Sequence, residues 1–170
     1  IKKDELSFKT KTGIYRASFL TDTQIRMEMT QVLTSSLDVS DFGKNAFYIE
    51  VGVPHIVLLE VNYDLGLALK IRHDKRFVNG VNINFAKKIG DASYEVRTFE
   101  RGVEDETLAC GTGVTALGVS LFQSGVISPD QKIQVQTAGG KFLVEREEEK
   151  TFLTGETALV FEGELPKKKE

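Results

Sequence analysis

The sequence predicts an α+β protein, a mostly antiparallel or mixed β-sheet wrapped around one central buried helix, and three observations carry that prediction. Short runs of β-branched and aromatic residues recur along nearly the whole chain, many alternating with polar neighbours. That period of two marks strands with one buried and one wet face. Fifteen glycines against three prolines suit many short strands joined by turns. One segment, 113–125, is apolar around most of its circumference, as a helix buried on nearly all sides must be. The 170 residues are enough for one domain with a real core, and 41% hydrophobic against 28% charged residues excludes wholesale disorder.

In chain order, Leu6, Phe8 and Thr10 alternate with polar residues, Thr12-Gly13 offers a turn, and 14–19 and 25–29 read as further strands. A polar stretch, 34–44, separates these from strands at 47–50 and 56–61. Between them, Val51-Gly52-Val53-Pro54-His55 is expected to interrupt the ladder. Leu65, Leu69 and Arg72 fall at helical spacing and predict a short helix over 65–73. Segments 81–89 and 93–100 pair around a Gly90-Asp91 turn. The buried helix carries Val114, Ala116, Leu117, Val119, Leu121 and Phe122 and stops at Gly125. A hairpin around Gly139-Gly140 joins 132–137 to 141–145, and strands at 151–154 and 157–162 complete the set. Phe47 and Tyr48 read as core, His73 as surface, and 146–150 as a charged hairpin loop.

Charge and cysteine content exclude whole classes of function. With 22 basic and 25 acidic residues, a formal net charge of −3, there is no broad cationic surface for nucleic acid or anionic lipid. Lys167-Lys168-Lys169 reads as a solvated tail, 166–170. No apolar run approaches the roughly 18 residues of a membrane helix, and no signal-peptide pattern opens the chain. A single cysteine, Cys110, excludes an internal disulfide and a cysteine-based zinc cluster. A reducing compartment, the cytoplasm, is the expected location, with no metal and no cofactor. Ile1 is not an initiator methionine, so the chain is expected to be part of a longer one.

The chemistry concentrates in Glu100-Arg101-Gly102-Val103-Glu104-Asp105-Glu106-Thr107-Leu108-Ala109-Cys110-Gly111-Thr112-Gly113. Cys110 stands just ahead of the buried helix, with glycines leaving the backbone open around it. The first amides of a helix lack internal partners and carry partial positive charge, so they bind anions and lower a thiol's pKa. A thiol and an anion cradle are thus expected side by side. Arg101 can grip a second carboxylate, and Glu100 can accept from an ammonium group. Alone, a cysteine beside a buried helix reads as an inert core residue, and Gly-Thr-Gly lacks the lysine of a phosphate loop. The combination of thiol, helix start, glycines and upstream Glu-Arg pair points to chemistry.

Glu100-Arg101-Gly102 followed by Glu106-Thr107-Leu108-Ala109-Cys110-Gly111-Thr112-Gly113 resembles the second catalytic-cysteine signature of diaminopimelate epimerase. Gly52-Val53-Pro54-His55 resembles that family's Gly-Asn-Pro-His turn. Arg72-His73, Arg76-Phe77 and Gly80-Val81-Asn82 resemble its Arg-to-Gly-x-Asn run, and Thr154-Gly155-Glu156-Thr157-Ala158 resembles its closing segment. The resemblance implies an isomerase that interconverts LL- and meso-diaminopimelate, in lysine and peptidoglycan-precursor biosynthesis, without pyridoxal phosphate or metal. Two cysteines act on opposite faces of the α-carbon, one removing a proton while the other delivers one. It implies Cys110 as one of them, with His55 and Glu100 in catalysis. Asn82, Glu100, Arg101 and the amides of Gly111 and Thr112 bind substrate.

Three departures accompany the resemblance. Val53 stands where most members have a substrate-binding asparagine, Val78 replaces the proline after Phe77, and Val103-Glu104-Asp105 is one residue longer than the usual spacing. The first-cysteine signature, Cys-Gly-Asn-Gly-Ala-Arg-Cys, is absent from these residues. The expected organisation is therefore 1–30 as the remnant of an N-terminal lobe, 31–165 as the C-terminal epimerase lobe, and 166–170 as the tail. The partners implied are the amino-acid substrate, the N-terminal lobe of the same protein and, through sheet edges, a homodimer; the chain alone is expected to be inactive. The alternatives are another isomerase of the same fold, of proline racemase or phenazine-biosynthesis type, and a non-catalytic lobe serving binding or assembly. The cysteine argues against the phenazine type, and the Glu-Arg-Gly element against the proline racemase type.

Overall fold

The computed structural model describes residues 5–10, 13–29, 32–34 and 37–164. The first residue of the Thr12-Gly13 turn and the charged tail 166–170 lie outside the described residues. β1 (Glu5–Lys9), β2 (Ile14–Phe19) and β3 (Gln24–Met29) form an antiparallel meander. β4 (Val32–Thr34), β5 (Ala46–Val51) and β6 (Pro54–Leu59) form another. Helix α1 (Leu65–Arg72), capped by the Asp64 carboxylate on the Leu67 amide, crosses to β7 (Asn82–Gly90), which runs parallel to β6. β8 (Ser93–Glu100) returns antiparallel, and β9 (Asp105–Thr107) folds back onto its end. Helix α2 (Gly111–Gln123) crosses to β10 (Ile133–Thr137), parallel to β8, and β11 (Gly140–Glu147) and β12 (Lys150–Glu156) follow as antiparallel strands. All twelve strands belong to one mixed sheet, ordered β1-β2-β3-β12-β11-β10-β8-β7-β6-β5-β4 with β9 on β8. Each parallel pair is bridged by a helix, as parallel neighbours require.

Helix α2 is buried along Gly113–Phe122, matching its lack of a polar face. It packs on β5, β6 and β7 from one part of the strand order and on β11 and β12 from another. Gly118 permits the second contact, since a Cβ there would lie 2.4 Å from Val144 Cγ1 of β11. The helix ends where expected, with Gly125 at φ +69°.

β6 and the first half of β7 are covered on both sides. Val57 and Leu59 of β6, Ala86 of β7 and Tyr94 and Val96 of β8 join the core built on α2. Their neighbours Ile56, Leu58, Ile83, Phe85 and Phe99 join a second core with Ala68 and Ile71 of α1. Because side chains alternate across a strand, positions 55, 57 and 59 of β6, 82, 84 and 86 of β7, and 94, 96, 98 and 100 of β8 all point toward α2. This parity places the polar residues of the site.

Several expectations are corrected. Pro54 and His55 sit inside β6, paired with Glu50 and Ile49, so the interruption is only Gly52-Val53, with Gly52 at φ +68°. Pro54 is tolerated because it opens the strand, where its missing N–H costs least. β6 stops at Leu59 because Glu60 turns to φ +61°. The turn after β7 is Asp91-Ala92, and Gly90 still pairs with Ser93 beyond a bulge. Residues 157–162 form no strand. Both edges of β12 are taken by β3 and β11, so the chain leaves the sheet and exposes Leu159, Val160 and Phe161. Strands β4 and β9, of three residues each, are too short for periodicity to announce. Among the described residues no helix is long and apolar enough to cross a membrane.

Candidate active site

The end of β6, the start of β7, the end of β8 and the N-terminus of α2 converge on the face that α2 covers. His55 is the first inward residue of β6 and is fully buried; it pairs in register with Asn82 of β7. Asn84, two residues on and on the same face, is fully buried too and pairs in register with Thr98 of β8. Asn84 Nδ2 lies 3.1 Å from His55 Nδ1 and donates to the Ile56 carbonyl at 3.0 Å. Thr98 Oγ1 donates to Asn84 Oδ1 at 3.0 Å. His55 Nε2 is buried with no hydrogen-bond partner. Burial first, and then the Arg101 charge, holds the imidazole pKa down to about 3, so it is neutral at physiological pH.

Cys110 is the N-cap residue of α2, and the first intrahelical bond runs from the Val114 amide to its carbonyl. The amides of Gly111, Thr112 and Gly113 therefore have no place in the helix ladder. Cys110 Sγ lies 3.4 Å from Thr112 Oγ1. Gly113 is forced: a Cβ would stand 2.1 Å from Asn84 Oδ1, so the helix start rests directly on the buried amide. The thiol departs from expectation. Burial pushes its pKa up and the nearby Glu100 carboxylate adds to that, outweighing the Thr112 hydroxyl and the Gly113 and Thr112 amides, which pull it down. The expected helix-start field is present, but desolvation is larger.

The turn after β8 is braced from two sides. Asn82 Oδ1 accepts from the Arg101 amide at 2.8 Å, and Arg101 Nη1 donates to the carbonyls of Asn79 and Gly80 at 2.9 and 3.3 Å. Arg101 is thus anchored on its own scaffold through one nitrogen, where the sequence suggested only a carboxylate grip. Glu104, at φ +61° in the lengthened loop, accepts from the Gly102 amide at 3.0 Å and from Arg72 at 2.6 and 3.0 Å. Arg72 in turn fills the space above Gly80, where a Cβ would sit 2.0 Å from its Nη1. Glu104 therefore ties the turn to α1.

Every residue singled out in the sequence, namely His55, Asn82, Glu100, Arg101, Cys110 and the Gly111-Thr112 pair, belongs to this one assembly. Asn84 and Thr98 belong to it as well and carried no role in the sequence reading. The sequence offered one hint for Asn84, its place two residues from Asn82 on the same face of a strand, and none for Thr98. Among the described residues no three His, Cys, Asp or Glu side chains gather as a metal site would require.

A family model described as diaminopimelate epimerase matches residues 47–160. The chain belongs to the diaminopimelate epimerase family. The diaminopimelate epimerase of Hydrogenobaculum sp. is 31% identical over 177 aligned positions, covering 97% of this chain and 64% of that protein. The diaminopimelate epimerase of Archaeoglobus fulgidus is 42% identical over 117, covering 67% of this chain and 41% of that protein. The chain thus spans less than two thirds of the length of these family members. A probable proline racemase from Agrobacterium radiobacter, solved with bound carbonate, shares the fold at a TM-score of 0.62 and 18% identity, covering 92% of this chain and 59% of that one. The mixed-sheet fold is therefore shared with that structure at low sequence identity.

Proposed function

We propose that this chain carries one acid–base thiol, Cys110, of a cofactor-independent epimerase acting on diaminopimelate. The observation that supports it most is the placement of a lone thiol at the start of α2, beside amides without helical partners, on the face shared by His55, Asn82 and Glu100. An α-proton beside a carboxylate is very weakly acidic, and its removal loads negative charge onto that carboxylate. The Gly111 and Thr112 amides, at the positive end of α2, offset the charge as it develops. Asn82 and Arg101 hold substrate from the braced turn, and Glu100 accepts from its ammonium group or exchanges a proton with Cys110. The raised thiol pKa keeps Cys110 protonated near neutral pH, the state required of the acid that delivers a proton to the α-carbon.

Inversion needs a second acid–base group on the opposite face, and this chain holds a single cysteine. In this reading the second group comes from another lobe of the same protein, residues 1–30 are the tail of that lobe, 31–165 form the Cys110 lobe, and 166–170 are a charged tail. The sheet curled round α2 is the scaffold. Val103 and Leu108, both exposed and apolar beside the site, are the rim that a covering lobe buries. The activity belongs to lysine and peptidoglycan-precursor synthesis in the cytoplasm, with a homodimer formed through sheet edges.

Epimerisation of LL-diaminopimelate by the enzyme carrying this lobe tests the reading. Cys110→Ala is expected to lower turnover by about 1000-fold or more while circular dichroism stays unchanged. Retained turnover, or racemisation of proline in place of diaminopimelate, contradicts it.

A further inference from the structure

We propose that Asn84 is the positioning residue that fixes the tautomer of His55, placing the imidazole proton on Nε2 and presenting it to the site as a hydrogen-bond donor. The inference follows from which groups can only give and which can only take. The Ile56 carbonyl is an acceptor, so the Asn84 atom 3.0 Å from it is the amide nitrogen. This settles the orientation of the amide, and the Thr98 hydroxyl, 3.0 Å from Oδ1, agrees by donating to the remaining acceptor. The same nitrogen lies 3.1 Å from His55 Nδ1 and turns its other proton toward it. Nδ1 therefore supplies a lone pair, and in a neutral imidazole the proton resides on Nε2. Nε2 is the buried atom for which the protein provides no partner. A buried donor without a partner costs free energy, so it is aimed at something that completes it: a carboxylate, a carbonyl or a thiolate.

The arrangement is rigid by construction. Asn84 and His55 are both fully buried on neighbouring parallel strands, and Thr98 pins the amide from the third strand. Gly113 at the start of α2 lies against Asn84 Oδ1, with no room for a Cβ. Asn84 thus joins the two halves of the site, setting the proton of His55 while seating the helix that carries Cys110. His55 in this state gives a hydrogen bond through Nε2 and takes no proton there, which separates its work from that of Cys110. The use of that proton in catalysis rests on the epimerase reading above; the tautomer does not.

The other histidine of these residues, His73, is exposed, and nitrogen-15 histidine labelling with two-bond proton–nitrogen correlation reads His55 once its signals are assigned by their loss in His55→Gln. Near neutral pH the expected pattern is a neutral ring with hydrogen on Nε2. A ring protonated on Nδ1, or on both nitrogens, overturns the proposal. Asn84→Asp replaces the donor by a carboxylate that only accepts, and is expected to move the proton to Nδ1. Asn84→Ala removes the donor and is expected to leave a mixture of both tautomers. Thr98→Val keeps the Asn84 nitrogen in place and is expected to keep the Nε2 form. If both folded Asn84 variants retain a pure Nε2–H ring, Asn84 does not set it. These results leave the epimerase reading standing, whereas full turnover in Cys110→Ala removes that reading and leaves the tautomer untouched.

Discussion

Two polar clusters occupy the same sheet and behave in opposite ways. On the outer face of β3, β12 and β11, Arg26 pairs with Glu147 at 2.6 Å and Glu145 at 3.5 Å, Lys132 pairs with Glu145 at 2.7 Å, and Lys150 with Glu28 at 3.3 Å. Arg26 Cζ also lies 3.5 Å from the centroid of the Phe152 ring. The inner face of the same strands carries Met27, Met29, Val144 and Leu153 against α2. This is a one-sided sheet whose charges pair beside water, Glu145 being the most buried of them, and its exposed pairs are worth little. On the face of β6, β7 and β8 that α2 covers, the buried polar residues His55, Asn84 and Thr98 are uncharged and bonded to one another, whereas the charged Glu95 and Arg97 of β8 lie on the opposite face, open to water. A fully buried charge would be far more costly than a buried amide. Faces open to water hold charge; the buried positions under α2 hold direction, fixing which atom gives and which takes a proton.

The contrast breaks most visibly in acid. His55 has a folded pKa of about 3 against an ordinary 6.5. Between those values the unfolded chain binds a proton that the folded chain refuses. Its contribution to stability is therefore complete above pH 6.5 and is lost as pH falls toward 3. Urea unfolding at a series of pH values is expected to show a loss on the order of 1.4 kcal/mol per pH unit in that window from this group. His55→Gln is expected to flatten the slope by about one proton, and an unchanged slope shows that the imidazole is not held neutral.

Gly113→Ala pushes a methyl into Asn84 and is expected to destabilise by about 1–3 kcal/mol, read as a shift in urea midpoint without a change of m-value. A neutral effect means that the helix start does not rest on the amide. The outer ladder supplies the smallest effect. Glu147→Ala removes a 2.6 Å ion pair at a mostly exposed carboxylate and is expected to change stability by less than about 0.5 kcal/mol. A loss comparable to that of Gly113→Ala erases the distinction between the two clusters.

The same contrast explains what the sequence disclosed. Helix α2 is legible because 113–122 carries no charged residue and no polar face, and the hairpins because their turn glycines and alternation agree. Cys110, His55, Asn82, Glu100 and Arg101 stood out through motif resemblance and meet on one face. Asn84 did not, because Asn82-Ile83-Asn84-Phe85 alternates like a half-exposed strand, and only the helix lying over its polar side makes that side interior. Residues 157–162 are as apolar as a strand, yet β12, the strand they follow, already has β3 and β11 on its two edges. The direction of the Cys110 pKa was misread for a related reason: the helix-start field is local and visible in sequence, whereas desolvation depends on everything packed around the thiol.

The central claim is that Cys110 moves the α-proton on one face of the substrate while a different group serves the other. Solvent deuterium incorporation at the α-carbon, followed by mass spectrometry for LL- and meso-diaminopimelate separately, tests it in the enzyme carrying Cys110→Ala. The remaining group can still remove a proton from its own face and return a deuteron to it. The account therefore predicts exchange with retained configuration in one stereoisomer and none above background in the other. Exchange into both stereoisomers at the unmodified rate would contradict it.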